Sequence, residues 1–287
     1  ESDWSSDVCS SDLENPDVIV TVDNGVASID GIKYSNSKKI PVIVTDHHLQ
    51  GDVLPEAFCI VNPNRNDCTF PSKALAGCGV IFYVVCALKE FMVIKGDFTR
   101  ENAPNVNSLL DLVAIGTVSD LVKLDKNNRL LVDAGLRMIR NKKTRPGVLA
   151  LIEVAGAKYE DLTTMDIGFK IGPRLNAAGR LEDMSIGINC LIEEDYEKAI
   201  EYAKKLDEIN INRKEIEKEM KEQALSMPNI NTDGNTCVAY GEDFHEGVIG
   251  IVASRLKEMF FRPSIVFAEA ETEDKNDGSK KEEHLKG

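Results

Sequence analysis

Two short β-branched runs, each closing on an acidic motif, constrain this chain more than any other feature. Val18-Ile19-Val20-Thr21-Val22 ends at Asp23-Asn24-Gly25, and Pro41-Val42-Ile43-Val44-Thr45 ends at Asp46-His47-His48. Residues 26 to 38 between them suit a single helix. Apolar strands joined by one helix-length crossover read as a βαβ unit in a parallel sheet buried on both faces. Open α/β sheets bind ligands at the carboxyl ends of their strands, so both acidic motifs fall on the functional edge.

The pattern that follows extends the α/β reading. Ala57 to Val61 suits a further strand leading into Asn62-Pro63-Asn64, and a buried helix is expected from about Gly77-Cys78-Gly79 through Leu88. Helix-spaced apolar residues predict helices over Ser108 to Val118, Asn128 to Arg140 and Gly147 to Val154. From Glu193 to about Ser226 a strongly charged helix carries the apolar stripe Ile200, Ala203, Leu206 and Ile209, and could connect two domains. A second α/β region then begins, with a strand near Cys237 to Tyr240, a helix from about Gly247 to Met259 and a strand at Pro263 to Phe267. Residues 269 to 287 are expected to be too polar to close a sheet. The domain bounds read from the sequence are 14–192, a connecting helix at 193–226, and a smaller, incomplete domain at 227–287. Residues 1 to 13 (ESDWSSDVCSSDL) are Ser/Asp-rich and aperiodic, and read as a non-native or disordered leader, so that Trp4 should report little about the core.

A chain of 287 residues with 43% apolar content can bury a sizeable core. No run approaches the roughly 18 uninterrupted apolar residues of a membrane span, and the start lacks a signal-peptide layout, so membrane and secretory readings are poor and the cytoplasm is the default. The seven cysteines show neither CxxC pairing nor finger spacing and are expected to be reduced, mostly buried thiols, with Cys59 and Cys86 inside apolar runs. A net charge of −14 argues against a non-specific nucleic-acid coat protein, which needs a basic surface. It is compatible with carboxylates gathered around divalent cations, which turn such a site positive once bound.

Imidazoles and carboxylates are the ligands that suit Mn, Zn or Fe, and Asp46-His47-His48 places them at a strand end. Asp23 ends the neighbouring strand, so a carboxylate and an imidazole can converge on one ion. Asp120, in Gly116-Thr117-Val118-Ser119-Asp120, is a third acidic candidate, with Asp111 as the fallback. Arg174 and Arg180 flank Asn176 in a Gly-rich segment, and planar guanidiniums suit phosphate oxygens; the bland alternative is a glycine turn with solvated arginines. His245, ahead of a helix start, can meet a phosphate with the helix dipole or act as a cap or core residue.

These segments, taken in order, resemble the DHH phosphoesterase family in its RecJ-type branch of single-strand-specific 5′ exonucleases. The resemblance rests on TVDNG (21 to 25), VTDHH (44 to 48), NPN (62 to 64), GCGV (77 to 80), DLVAIGTVSDLV (111 to 122), IGPRLNAAGRL (171 to 181) and HEGVIGIVASR (245 to 255), and it covers about Asn15 to Gly287. It implies a parallel-sheet phosphoesterase domain joined by a long helix to a smaller α/β DHH-associated domain that binds nucleic acid. It also implies two divalent cations, Mn²⁺ or Mg²⁺, with Asp23, His47 and Asp120 as direct ligands, Asp46 orienting a ligand from behind, and His48 on the scissile phosphate. Arg174, Asn176, Arg180 and His245 would bind substrate. The implied partners are single-stranded DNA and, beyond it, a single-strand-binding protein and a helicase, in repair and recombination. An oligoribonuclease, a cyclic-dinucleotide phosphodiesterase, a pyrophosphatase and a non-catalytic scaffold are the alternatives.

The chain departs from the family pattern at both ends. No Asp-x-Asp motif precedes Asp23, and the chain stops at Leu285-Lys286-Gly287, where the family continues into Gly-Ser-Gly-Arg-Ser; the family's OB-fold is also missing. The expectation is therefore a fragment truncated at both termini. Made alone, it should bind one divalent ion weakly and show little nuclease activity.

Overall fold

The computed structural model describes residues 16–227, 230, 234–271 and 283–287. The leader with Trp4 and Cys9 lies outside the described residues. By their contacts the residues form two compact units that meet in sequence between Gly172 and Pro173.

In the first unit the strands β1 (Ile19–Val22), β2 (Val42–Thr45) and β3 (Cys59–Val61) pair in that order, all parallel. The crossover between β1 and β2 is α1 (Ile29–Ser37), whose Ile32 packs on Val42 and Val44, all three fully buried. The other face departs from expectation. The register puts Val20 beside Ile43 and Cys59, and Val22 beside Thr45 and Val61, yet Val20, Val22, Cys59 and Val61 are all exposed. Apolar composition on both faces therefore does not mean cover on both: among the described residues α1 seals one side of a sheet whose two outer strands are both edges. The same geometry corrects the cysteines. Cys59 is exposed and Cys68, Cys78 and Cys86 are half-buried; of the described cysteines, only Cys190 and Cys237 are buried.

The helix α2 (Gly77–Lys95) runs seven residues beyond Leu88 and ends on Gly96 at φ 92°, the left-handed cap that glycine adopts without a Cβ penalty. Among the described residues it alone has the length and hydropathy to cross a membrane. Gly77, Gly79, Val80 and Phe82 in its first half are nonetheless buried, with Val80 and Phe82 in a core cluster with Leu75, Val113 and Leu131. A 3₁₀ turn (Val106–Leu109) leads into α3 (Leu110–Ser119), which crosses α4 (Lys126–Arg140) so closely that a side chain at Gly135 would collide with the Leu110 carbonyl. Asp125 caps α4 by accepting the Asn128 amide hydrogen. After α5 (Pro146–Val154), a short helix α6 (Thr164–Asp166) opens with a Thr163/Asp166 capping box and passes through a π turn (Ile167–Ile171).

The helix α7 (Gly172–Leu181) is the Gly-rich segment, helical rather than the turn its glycines suggest; α8 (Ser185–Ile192) and the 31-residue α9 (Tyr196–Ser226) follow. By contacts, residues 173–226, which include the long helix, group with the second compact unit. The buried Cys190 of α8 donates through Sγ to the Ala199 carbonyl of α9, and Ala199, Ala203, Leu206 and Ile209 are buried along the predicted stripe. The strands β4 (Cys237–Gly241) and β5 (Ser264–Glu271) are parallel, joined by α10 (Ile249–Phe260). A last strand, β6 (Glu283–Lys286), pairs antiparallel with β5. Residues 269 to 287 were expected to add no strand. Ladder hydrogen bonds are made by the backbone, and an edge strand tolerates charged side chains, so polar composition did not prevent pairing. The core of this unit gathers Met220, Ile230, Ala239, Phe244, Val252, Leu256 and Val266.

Candidate metal centre

The carboxyl ends of β1 and β2 place Asp23 and Asp46-His47-His48 side by side, because the ladder continues one step beyond the strands as Asp23 donates its amide hydrogen to the Thr45 carbonyl. Asp23 sits at φ 71°, left-handed backbone that Asp adopts more readily than most residues. Two close approaches shape this end of the site. Thr45 Oγ1 donates to the Thr21 carbonyl at 2.7 Å, and a side chain at Gly77, in the first turn of α2, would collide with the Asp23 carboxylate.

His47 is the hinge of the arrangement. Its Nε2 lies 2.9 Å from Asp23 Oδ1 and 3.6 Å from Asp120 Oδ2. Asp120 is the residue that ends α3, where the helix dipole is negative and a carboxylate is disfavoured. Burial raises its pKa, the attraction of His47 lowers it, and Asp23 raises it again, with a net rise above the ordinary carboxylate value. A carboxylate held against both a helix dipole and a second carboxylate is badly placed for stability even where it is partly exposed, which makes it a candidate functional group.

Asp46 is 1% exposed and does not face the cluster as a ligand would. Burial pushes its carboxyl up, but the hydrogens donated by the Val26, His47 and His48 amides and the contact with the His48 ring outweigh that, and its pKa falls below the ordinary value. It therefore stays ionised and holds His48 Nδ1 at 2.7 Å. The hydrogen bond and charge of Asp46 raise the His48 pKa against its partial burial. With Nδ1 engaged, Nε2 is the nitrogen His48 presents outward. The ring Asp46 orients is thus that of His48, while His47 receives only a backbone contact from it.

Asp23, His47 and His48 can each offer a ligand atom within 4.8 Å of one another. Donors in adjacent positions of an octahedral ion with bonds of about 2.1 Å lie about 3.0 Å apart, so the 2.9 Å His47–Asp23 spacing is compatible with a shared ion. Two buried oxygens beside the ligands, Asn24 Oδ1 and Ser119 Oγ, have no hydrogen-bond partner in the protein. Unsatisfied acceptors flanking carboxylates and an imidazole are what a hydrated cation would complete. The donor set fits Mn²⁺ or Mg²⁺. Asp111, the fallback ligand, is buried elsewhere, paired with Arg145 at 3.0 Å and accepting from Thr144.

The remaining expected residues lie in the second unit. On α7 the buried positions are Gly172, Leu175, Ala177 and Ala178, leaving Asn176, Gly179 and Arg180 on one exposed face. Arg180 donates to the Gly247 carbonyl at 3.2 Å, whereas Arg174 is mostly buried and pairs with Asp207 of α9 at 2.8 Å. His245 Nδ1 accepts the Gly247 amide hydrogen at 3.0 Å, a capping contact in the turn that precedes α10 at Ile249. The sequence reading gave no role to Asn24, Gly77 and Ser119. The signal for Gly77 was present, since a Gly-x-Gly at a helix start marks a close backbone approach.

Comparison with known proteins shows what the chain is similar to. The family described as "DHH family, N-terminal domain" matches residues 4–117. The single-stranded-DNA-specific exonuclease RecJ of Escherichia coli K12 is 50% identical over 260 residues, covering 88% of this chain and 45% of the relative. The protein of that name from Bacillus subtilis is 37% identical over 250 residues, covering 87% of this chain and 30% of its own length. Among solved structures, exonuclease RecJ bound to manganese superposes with a TM-score of 0.78 at 31% identity, over 92% of this chain and 63% of that one. RecJ from Thermus thermophilus in complex with Mn²⁺ matches equally well, with a TM-score of 0.78, 30% identity, and coverage of 92% and 38%. The chain thus spans less than half the length of these curated relatives.

Proposed function

We propose that this chain, which the DHH family's N-terminal domain matches over residues 4–117, is the phosphoesterase part of a RecJ-type exonuclease, hydrolysing single-stranded DNA from the 5′ end to 5′-mononucleotides. The observation that carries the proposal is His47 Nε2 set between Asp23 Oδ1 and Asp120 Oδ2 at the carboxyl edge of a parallel sheet. Relatives of this chain are named single-stranded-DNA-specific exonucleases, and RecJ structures have been solved with Mn²⁺ and with Mg²⁺.

Asp23, His47 and Asp120 would hold a divalent cation, Mn²⁺ or Mg²⁺, in a site that pairs two such ions. Bound there, the ions supply Lewis acidity for in-line attack of water on phosphorus. Asp46 keeps His48 oriented, with a proton favoured on the ring, and Nε2 is the atom that would meet the scissile phosphate. Asn176 and Arg180 offer an exposed donor face on α7 for the strand's phosphates, Arg174 stands behind them against Asp207, and His245 shapes the turn that Arg180 contacts. Water adds to phosphorus, the P–O3′ bond breaks, and the 3′ oxygen leaves with a proton.

The same reading carries a cytoplasmic location, a domain assignment of 14–192 and 227–287 around the helix 193–226, and partnership with a single-strand-binding protein and a helicase. A non-catalytic scaffold is disfavoured by Asp120, whose unfavourable position a protein without metal chemistry has no reason to keep. The test is mononucleotide release from 5′-phosphorylated single-stranded DNA with Mn²⁺, alongside Mn²⁺ binding followed by electron paramagnetic resonance. Slow release abolished by EDTA and by His47→Ala is expected. Release indifferent to both would overturn the proposal.

A further inference from the structure

The Asn62-Pro63-Asn64 turn that follows β3 has no part in the chemistry described above, yet it touches both histidines. Asn62 Nδ2 donates to the His48 carbonyl at 2.9 Å, and Asn64 Nδ2 donates to the His47 carbonyl at 2.5 Å. Asn62 is 3% exposed, Asn64 is half-buried, and the two are tied together because Asn62 Oδ1 accepts the Asn64 amide hydrogen at 2.7 Å. The β2–β3 ladder reaches only as far as the Asp46 amide, which donates to the Val61 carbonyl at 3.1 Å. Past that point the chain turns away from the sheet, and the carbonyls of His47 and His48 lose strand partners.

We propose that Asn62 and Asn64 are positioning residues, a side-chain extension of the ladder that fixes the His47-His48 backbone so that the two imidazoles reach the metal centre in a set direction. All four polar backbone groups of the dipeptide are engaged: both amides donate to Asp46 Oδ1, and each carbonyl accepts from one asparagine. With the backbone pinned from both sides, only the ring torsions remain to be set. His48 Nδ1 is held by Asp46 and His47 Nε2 by the carboxylates. A ligand held in this way loses little freedom on binding, and supporting contacts of this kind are typically worth about 10- to 100-fold in metal affinity. Pro63 between them removes one backbone torsion and stiffens the spacing of the two amides. The inference rests on the metal reading only for its consequence; the clamp itself is a property of the metal-free fold.

The experiment therefore reads the two separately. In the metal-free full chain, hydrogen exchange of the His47 and His48 amides is compared for parent, Asn62→Ala and Asn64→Ala, with Val44 as the internal reference in the same sheet. Roughly tenfold faster exchange at His47 and His48, with Val44 unchanged, is expected; Asn64→Ala keeps the test decisive if the buried Asn62 variant fails to fold. Mn²⁺ titration of the same proteins should then show about tenfold weaker binding for Asn64→Ala. Unchanged exchange in a folded Asn64→Ala overturns the clamp, as does Mn²⁺ affinity within twofold of a parent that binds the ion. A parent that binds no Mn²⁺ while Asn64→Ala still speeds exchange supports the clamp and overturns the metal reading instead.

Discussion

Each unit contains a pair of parallel strands joined by a helix, β1-α1-β2 in one and β4-α10-β5 in the other, and among the described residues only the first brings three metal-ligating side chains within 4.8 Å of one another. At the ends of β1 and β2, three carboxylates share two imidazoles, Asp23 takes up left-handed backbone and Asp120 opposes a helix dipole. Beyond β4, the chain runs through Gly241 to His245, whose ring nitrogen is spent on the Gly247 amide. Identical topology thus supplies the edge but not the site. What separates them is whether polar groups there are satisfied by their own loop or left facing one another.

The sharpest way to break this contrast is to remove its centre. His47→Ala should lower Mn²⁺ affinity by about 100-fold or more, beyond what an outer contact contributes, and turnover with it. His48→Ala should lower turnover far more than metal affinity, since its Nδ1 is tied to Asp46 and only Nε2 faces outward. Calorimetric titration with Mn²⁺ alongside kinetics separates the two. Equal metal affinity in His47→Ala and parent would refute the ligand assignment.

Next in size is the approach of α2. Gly77→Ala sets a Cβ against the Asp23 carboxylate, so Asp23 or the helix must shift. The cost of such overpacking is about 1–3 kcal/mol in stability, with a roughly tenfold loss of Mn²⁺ affinity as the ligand moves. A crystal structure or Mn²⁺ titration of the variant showing an undisturbed Asp23 would mean that the close approach is incidental. In the second unit the expectation inverts. Arg180→Ala should leave Mn²⁺ affinity unchanged and weaken single-stranded DNA binding several-fold, with a shallower salt dependence, as for one lost phosphate contact. Fluorescence anisotropy over a salt series measures this.

The contrast also shows what the sequence could disclose. The strands and their order of helices were legible because β-branched runs and helix-spaced apolar residues are local signals, and the meeting of Asp23, His47 and Asp120 was legible because each follows such an element directly. Cover was not legible: Val20 and Val22 look like core residues, but exposure depends on what lies across the sheet. Helicity of 172–181 was obscured by Gly172, Pro173 and Gly179, whose poor propensity is outweighed by burial of Leu175, Ala177 and Ala178. The roles of Asn62 and Asn64 were hidden for a different reason. Their partners are carbonyl oxygens 14 and 17 residues away, and a backbone group leaves no mark on residue type.

The smallest expected effect concerns the charge of the pair Asp46–His48 in the metal-free chain. The His48 pKa is raised by Asp46, so its contribution to stability is fully present below the unfolded value of about 6.5 and is lost as pH rises through the folded value. The Asp46 pKa is lowered, so its contribution is present above about 3.8 and is lost as pH falls through its folded value. Both contributions are complete only between those limits. The His48 side chain is 61% exposed, which holds its share to a few tenths of a kcal/mol. EDTA-treated parent should therefore lose slightly more thermal stability between pH 6 and pH 8 than His48→Gln does. Parallel pH profiles for the two proteins would show that Asp46 is held by the backbone amides alone, and that the ring adds orientation without stability.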